Sequence, residues 1–237
     1  VCQLLRRRKP VEGDGAVAGL GRSRRHRFVL PGKEGLPDLL LDLLVASPPA
    51  DVTRKMKEGP DLVFYVFDPE PMLFGAAALF AYGQAAYFKS LEPSAGAEAA
   101  FRRLHVVGVG HAAESFGLSE SGFDSQALRN LRRRDFPPFD HPAVSPGRGR
   151  NAHARRFAEG LTDEVVPFVE QHLLGLSRDR TVRRCLLGAS YSAVMALQVL
   201  LLRPTVFRHF VLGSPSVCFD PKILEDVAIS NFAPAAA

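Results

Sequence analysis

The sequence predicts an α/β fold, a mostly parallel sheet with helices on both faces. Three observations predict it. Short runs rich in apolar and β-branched residues alternate with longer helical stretches. One of these runs, residues 62–67 (LVFYVF), is bulky throughout, with no polar alternation. Residues 104–109 (LHVVGV) are a second short run of the same buried kind. A continuous apolar run is how a strand covered on both faces reads, and parallel sheets are built from such strands. Strands that alternate with helices call for right-handed crossovers.

Residues 24–30 and 39–46 read as strands, separated by the turn Pro31-Gly32-Lys33-Glu34-Gly35, with Pro37-Asp38 extending the loop. A polar connection ending at Gly59-Pro60 leads to the strand at 62–67. Residues 71–90, opened by Pro71 and rich in Ala, Leu and Phe, predict a helix. Residues 104–109 (LHVVGV) form another short buried strand. From about 110 to 152 the chain reads as one irregular stretch, broken by Gly117, Gly122, Pro137, Pro138, Pro142, Pro146, Gly147 and Gly149. Connections of that length are usually functional or disordered.

Residues 154–174 predict an amphipathic helix. Its apolar positions Phe157, Leu161, Val165, Phe168, Val169 and Leu173 recur mostly three or four apart. Pro167 is expected to kink or split it. A strand at 181–187, a helix at 191–202 stopped by Pro204, and a strand at 208–212 complete the pattern. Residues 231–237 carry no fold signal. In a sheet of this kind, sites form beyond the carboxyl ends of the strands.

The 237 residues are 46% hydrophobic and 23% charged, enough to bury a full core. The longest apolar runs, at 39–45 and 194–202, fall short of the roughly 18–20 residues of a membrane span. Cys2, Cys185 and Cys218 are odd in number and form no C-x-x-C pair, which excludes a disulfide framework and a zinc site. The net charge of +5 is local. Residues 1–35 hold nine Lys and Arg against Glu12, Asp14 and Glu34, and the remainder holds 21 basic and 22 acidic side chains.

The basic balance therefore belongs to the N-terminus. Residues 1–23 are expected to be an Arg-rich, partly disordered tail, and residues 24–237 the folded domain. No nucleic-acid partner is expected, because no aromatic precedes Phe28 to stack on a base. Binding to nucleic acid or a membrane surface through this tail is a third, weaker reading of the chain. No signal peptide is visible, so the compartment is open. A cytoplasmic protein is slightly favoured over organelle targeting by the basic tail, whose acidic residues argue against a transit peptide.

One turn carries chemistry. Gly188-Ala189-Ser190-Tyr191-Ser192 joins a buried strand to an apolar helix. The pattern Gly-x-Ser-x-Ser is a variant of the Gly-x-Ser-x-Gly nucleophile elbow, where strand and helix pass so closely that the positions two before and two after the serine must be small. Ser190 would present its hydroxyl above the sheet, at a helix N-terminus offering a positive dipole and the Tyr191 N–H. A plain strand-to-helix turn with an N-cap serine has the same letters. Gly213-Ser214-Pro215-Ser216 is a second serine-rich turn and reads as structural.

Residues 186–202, followed by Arg203-Pro204, Phe207 and Gly213-Ser214-Pro215-Ser216, resemble the esterase branch of the α/β-hydrolase superfamily. That branch includes enterochelin and other ferri-siderophore esterases, S-formylglutathione hydrolase, feruloyl esterases and mycolyltransferases. Val63-Phe64-Tyr65-Val66-Phe67-Asp68 is similar to its strand ending in Asp, and Val106-Val107-Gly108-Val109-Gly110 to the next strand. Arg132-Arg133-Arg134-Asp135-Phe136-Pro137-Pro138 is similar to the Arg-Arg-x-Asp/Glu-Tyr-x-Pro segment of the siderophore-esterase-like members. The resemblance covers about residues 60–220.

The resemblance implies a serine carboxylester hydrolase acting on a small-molecule ester through an acyl-enzyme, with no metal or organic cofactor. Ser190 matches the nucleophile, and the backbone N–H groups of Tyr191 and Glu70 match the oxyanion donors. Pro69 stands where the family usually has Gly. His111 ends a strand on the edge of Ser190 and is a candidate pocket residue. Arg132, Arg133 and Arg134 are candidates for binding an anionic substrate such as a catecholate siderophore, the simpler role being a salt bridge to Asp135. Cys185 reads as core.

The family's triad runs Ser, then Asp or Glu, then His. Only His209 follows Ser190, and it opens the next strand at the opposite edge. Asp220 and Asp226 come too early for the acid. The chain starts at Val1 and ends at Ala237, so the last strands, with the acid and the histidine, are expected to be missing here. The alternative is a catalytically inactive α/β-hydrolase-like binding or interaction protein.

Overall fold

In a computed structural model of the chain, the structure describes residues 23–33, 35–48, 61–68, 75–78, 80–81, 103–112, 125–137, 151–176, 181–219 and 223–225. The basic segment 1–22, Glu70, most of the helix expected at 71–90, and the C-terminal segment from 226 lie outside them.

Six strands are present among the described residues: β1 (Arg24–Leu30), β2 (Leu39–Ala46), β3 (Asp61–Phe67), β4 (Leu104–His111), β5 (Val182–Ala189) and β6 (His209–Gly213). They join in one sheet in the order β1-β2-β4-β3-β5-β6. β1 and β2 are linked by a short turn and pair antiparallel, as such a link requires. β2 is also antiparallel to β4. The pairings β3–β4, β3–β5 and β5–β6 are parallel, so the site-bearing half of the sheet has all its carboxyl ends on one edge.

Strand periodicity divides the core into two layers. Val63, Tyr65 and Phe67 of β3 face one layer, together with Leu41, Leu43, Val107, Val109 and Leu186. Leu62, Phe64 and Val66 face the other, with Leu44, Ala46, Leu104 and Val106. The helices that follow β4 among the described residues include α1 (Ser125–Asp135), α2 (Ala152–Gly160), α3 (Val166–Phe168) and α4 (Tyr191–Leu202). Phe157 of α2, Val166 of α3, and Met195, Ala196 and Val199 of α4 close the first layer. Ala78 and Ala81, from the helical residues 75–78 and 80–81, close the second.

Two expectations are corrected. Residues 110–152 are not irregular throughout: β4 continues to His111, and α1 lies inside the stretch. With only Ala127, Leu128 and Leu131 as apolar residues among charged ones, α1 shows too little apolar periodicity to read as a helix. Nor does Pro167 split the long helix. α2 and α3 are joined and extended by wider π-helical turns at Leu161–Val165 and Val169–Leu173, and the backbone stays right-handed helical, with Val165 at φ −68° and ψ −49°. Pro167 falls between the two wide turns.

A buried polar link fastens this rod to the sheet. Glu170 takes a hydrogen bond of 3.2 Å from Tyr65 Oη of β3 and two, of 2.6 and 2.8 Å, from the Arg184 guanidinium of β5. Burial first, then the Glu170 charge, raises the Tyr65 phenol well above its ordinary pKa, so it stays a donor.

Candidate active site

Among the described residues, three that are not glycine have positive φ: Asp68 at 46°, Ser190 at 57° and Ser214 at 44°. They directly follow β3, β5 and β6, three adjacent parallel strands, so backbone strain is concentrated on one edge of the sheet. Such conformations cost on the order of 1–3 kcal/mol each and cluster where geometry serves chemistry.

Ser190, at φ 57° and ψ −120°, separates β5 from α4 and makes no side-chain capping bond to the helix. An ordinary N-cap serine has extended backbone and does make that bond. The sharpness of the turn explains its small neighbours. A Cβ on Gly188 would overlap the Ser192 carbonyl, lying 2.6 Å from its carbon and 2.8 Å from Ala193 N. Ser192 does more than stay small: its Oγ accepts from Ala189 N–H at 3.0 Å and donates to Ala189 O at 2.8 Å, closing the turn from inside. Tyr191 is the first residue of α4.

Ser190 is also joined to the turn after β6. Its N–H donates to Gly213 O at 2.9 Å, and its O accepts from Ser216 N–H at 3.3 Å. The two hydroxyls, Ser190 Oγ and Ser216 Oγ, lie 2.9 Å apart. The sequence offers no sign of this pair, because it depends on how two neighbouring strand ends meet.

The Arg-Arg-Arg-Asp segment closes α1 over the same edge and divides its work. Arg132 Nε is 2.9 Å from Asp68 Oδ2, and its guanidinium reaches Ala189 O at 3.5 Å, spanning the ends of β3 and β5. Arg134 binds Asp135 through two contacts of 2.6 and 2.8 Å, and Arg133 is half-buried. His111, at the end of β4, is fully buried, with Nε2 2.8 Å from Asp135 Oδ2 and its ring against Phe136 and Phe157. Burial pushes the Asp135 carboxyl up, but the hydrogen bonds to His111 and Arg134 outweigh it and hold the group below its ordinary value. Asn151 then ties the end of α1 to the start of α2. Its Nδ2 donates to Arg134 O and Pro137 O, and its Oδ1 caps the amides of His153 and Ala154.

Other candidates fall elsewhere. His209 pairs with Cys185 while Gly213 pairs with Ala189, so His209 is at the far end of β6 from Ser190. Cys185 is buried, and burial pushes its thiol up to about 11, which keeps it protonated and unreactive. No group of three or more metal-ligating side chains gathers among the described residues, and none of their helices is long and apolar enough to cross a membrane.

No protein-family model matches the sequence, and no curated protein matches it. Solved structures do. The siderophore hydrolase EstB from Aspergillus nidulans superposes with a TM-score of 0.58 at 21% identity, over 90% of this chain and 63% of its own. EstA from the same organism gives 0.57 at 20% identity, over 86% and 62%. The BES protein from Bacillus cereus gives 0.57 at 18% identity, over 92% and 70%. The chain thus spans under two thirds of the length of the two Aspergillus proteins. Its strand order, its crossover helices and its strained serine between β5 and α4 give it the α/β-hydrolase fold.

Proposed function

We propose that this protein is a serine carboxylester hydrolase that works through an acyl-enzyme on Ser190. The observation that carries the reading is the strained backbone of Ser190, which a capping serine has no need of. In this reading Ser190 Oγ bonds to the ester carbonyl carbon, its proton passes to a general base, and the alcohol leaves. The oxyanion is held by the backbone N–H groups of Tyr191 and Glu70. Water then attacks the acyl carbon and releases the acid. The base and its carboxylate partner are assigned to protein outside the described residues.

The proposed substrate is a small-molecule ester, and no cofactor is needed for these steps. Two of the structurally similar proteins are described as siderophore hydrolases, and a siderophore ester is the class we propose here. Arg132 and Arg133 would meet an anionic substrate at the rim. His111 and Arg134, engaged with Asp135, would support that rim from beneath.

Labelling by a fluorophosphonate tests the reading. The protein should be labelled and Ser190→Ala should fall to background. Labelling that survives this substitution removes Ser190 as the nucleophile.

A further inference from the structure

Ser216 has no part in the mechanism given above, yet its side chain meets the proposed nucleophile. Its Oγ is 2.9 Å from Ser190 Oγ, a normal separation for a hydroxyl–hydroxyl hydrogen bond. The separation is imposed by the backbone. Ser190 N–H is bonded to Gly213 O, and Ser216 N–H to Ser190 O, so both ends of the Gly213–Ser216 turn are tied to residue 190. Ser214 takes a positive φ of 44° to make the turn, and Val217 N–H closes onto Pro215 O at 2.8 Å. A strained, doubly anchored turn that ends by placing one hydroxyl on another is built for that contact.

We propose that Ser216 is a catalytic hydrogen-bond donor to Ser190 Oγ, an inference that rests on Ser190 being the nucleophile. If Ser190 donated in this pair, its proton would point at Ser216 and away from any base. With Ser216 donating, the Ser190 proton is free to leave, and the bond grows stronger as charge builds on Oγ. Ser216 keeps its own proton throughout. In attack, Ser190 Oγ loses its proton to the base as it bonds to carbon. In deacylation the carbon–Oγ bond breaks as water adds, Oγ takes a proton back from the base, and Ser216 supports the departing oxygen. The turn after β6 thereby becomes part of the reaction centre, as an element that tunes the nucleophile.

The test is the rate of fluorophosphonate labelling of the full-length protein, base included, and of its Ser216→Ala, Ser216→Thr and Ser190→Ala variants between about pH 6 and 9. Ser216→Ala should label Ser190 about tenfold more slowly, the value of one hydrogen bond to a developing charge. Ser216→Thr, which keeps the hydroxyl, should stay within about twofold of the unsubstituted chain. An unchanged rate in Ser216→Ala, with Ser190→Ala unlabelled, overturns the role of Ser216 and leaves the nucleophile standing. A threonine variant as slow as the alanine variant also overturns it, since the hydroxyl would not be the active group. Absence of labelling in the unsubstituted protein with its base-bearing segment present overturns both.

Discussion

Ser190 holds a conformation that glycine adopts freely and serine does not, with φ 57° and ψ −120°. The strain is a property of having a Cβ at all, so it separates stability from chemistry. Ser190→Gly should raise the thermal midpoint, by the equivalent of about 1 kcal/mol, while abolishing labelling. Ser190→Ala should abolish labelling without that gain, because alanine keeps the Cβ. Equal midpoints for the two variants would show that the turn relaxes around either residue. Gly188 is the reverse case: it is fixed by crowding, since the Ser192 carbonyl occupies the place of its missing side chain.

At the level of elements, the Glu170 link joins the π-helical turn Val169–Leu173 to β3 and β5. Glu170→Ala leaves a half-buried guanidinium and a buried phenol without their acceptor. It should cost about 3–5 kcal/mol in chemical denaturation, the range for breaking a buried ion pair from one side. A loss below 1 kcal/mol would mean that water replaces the carboxylate. The strands were legible in the sequence because their environment is uniform: LVFYVF is covered on both faces, and its letters say so. α4 was legible for the same reason. α1 was not, because ion pairs from Arg132 and Arg134 hold its C-terminal end in place of an apolar stripe. The π-helical turns were not, because neighbouring turns and packing decide how a helix accommodates proline.

Taken whole, the molecule keeps several carboxylates indoors, and Asp135 shows what that means in acid. Its folded pKa lies below its unfolded one of about 3.9, so the folded state favours the ionised form. That stabilisation is complete above about pH 4 and is lost as pH falls through the folded value. Thermal midpoints should therefore drop below pH 4, and Asp135→Asn should start lower and fall less over the same interval. A parallel fall in both proteins would assign the acid sensitivity to other groups. The site was legible to the extent that it is local: Gly188, Ser190 and Ser192 lie within one turn. The Ser190–Ser216 pair and the bridging by Arg132 are made between distant segments, and no local pattern encodes them.

The position of β3 also bears on how the protein comes into being. β3 is flanked by β4 and β5, and its residue Asp61 pairs with Val182, 121 positions later. At about 5–20 residues per second, ribosomal synthesis takes about 6–24 s to cover that distance. For that time one edge of this apolar strand has no partner. Long-range parallel pairing is slow to form, and unpaired apolar edges seek other chains. The interval in which this protein is most exposed to aggregation, and most dependent on chaperones, is thus set by the order of its strands along the gene.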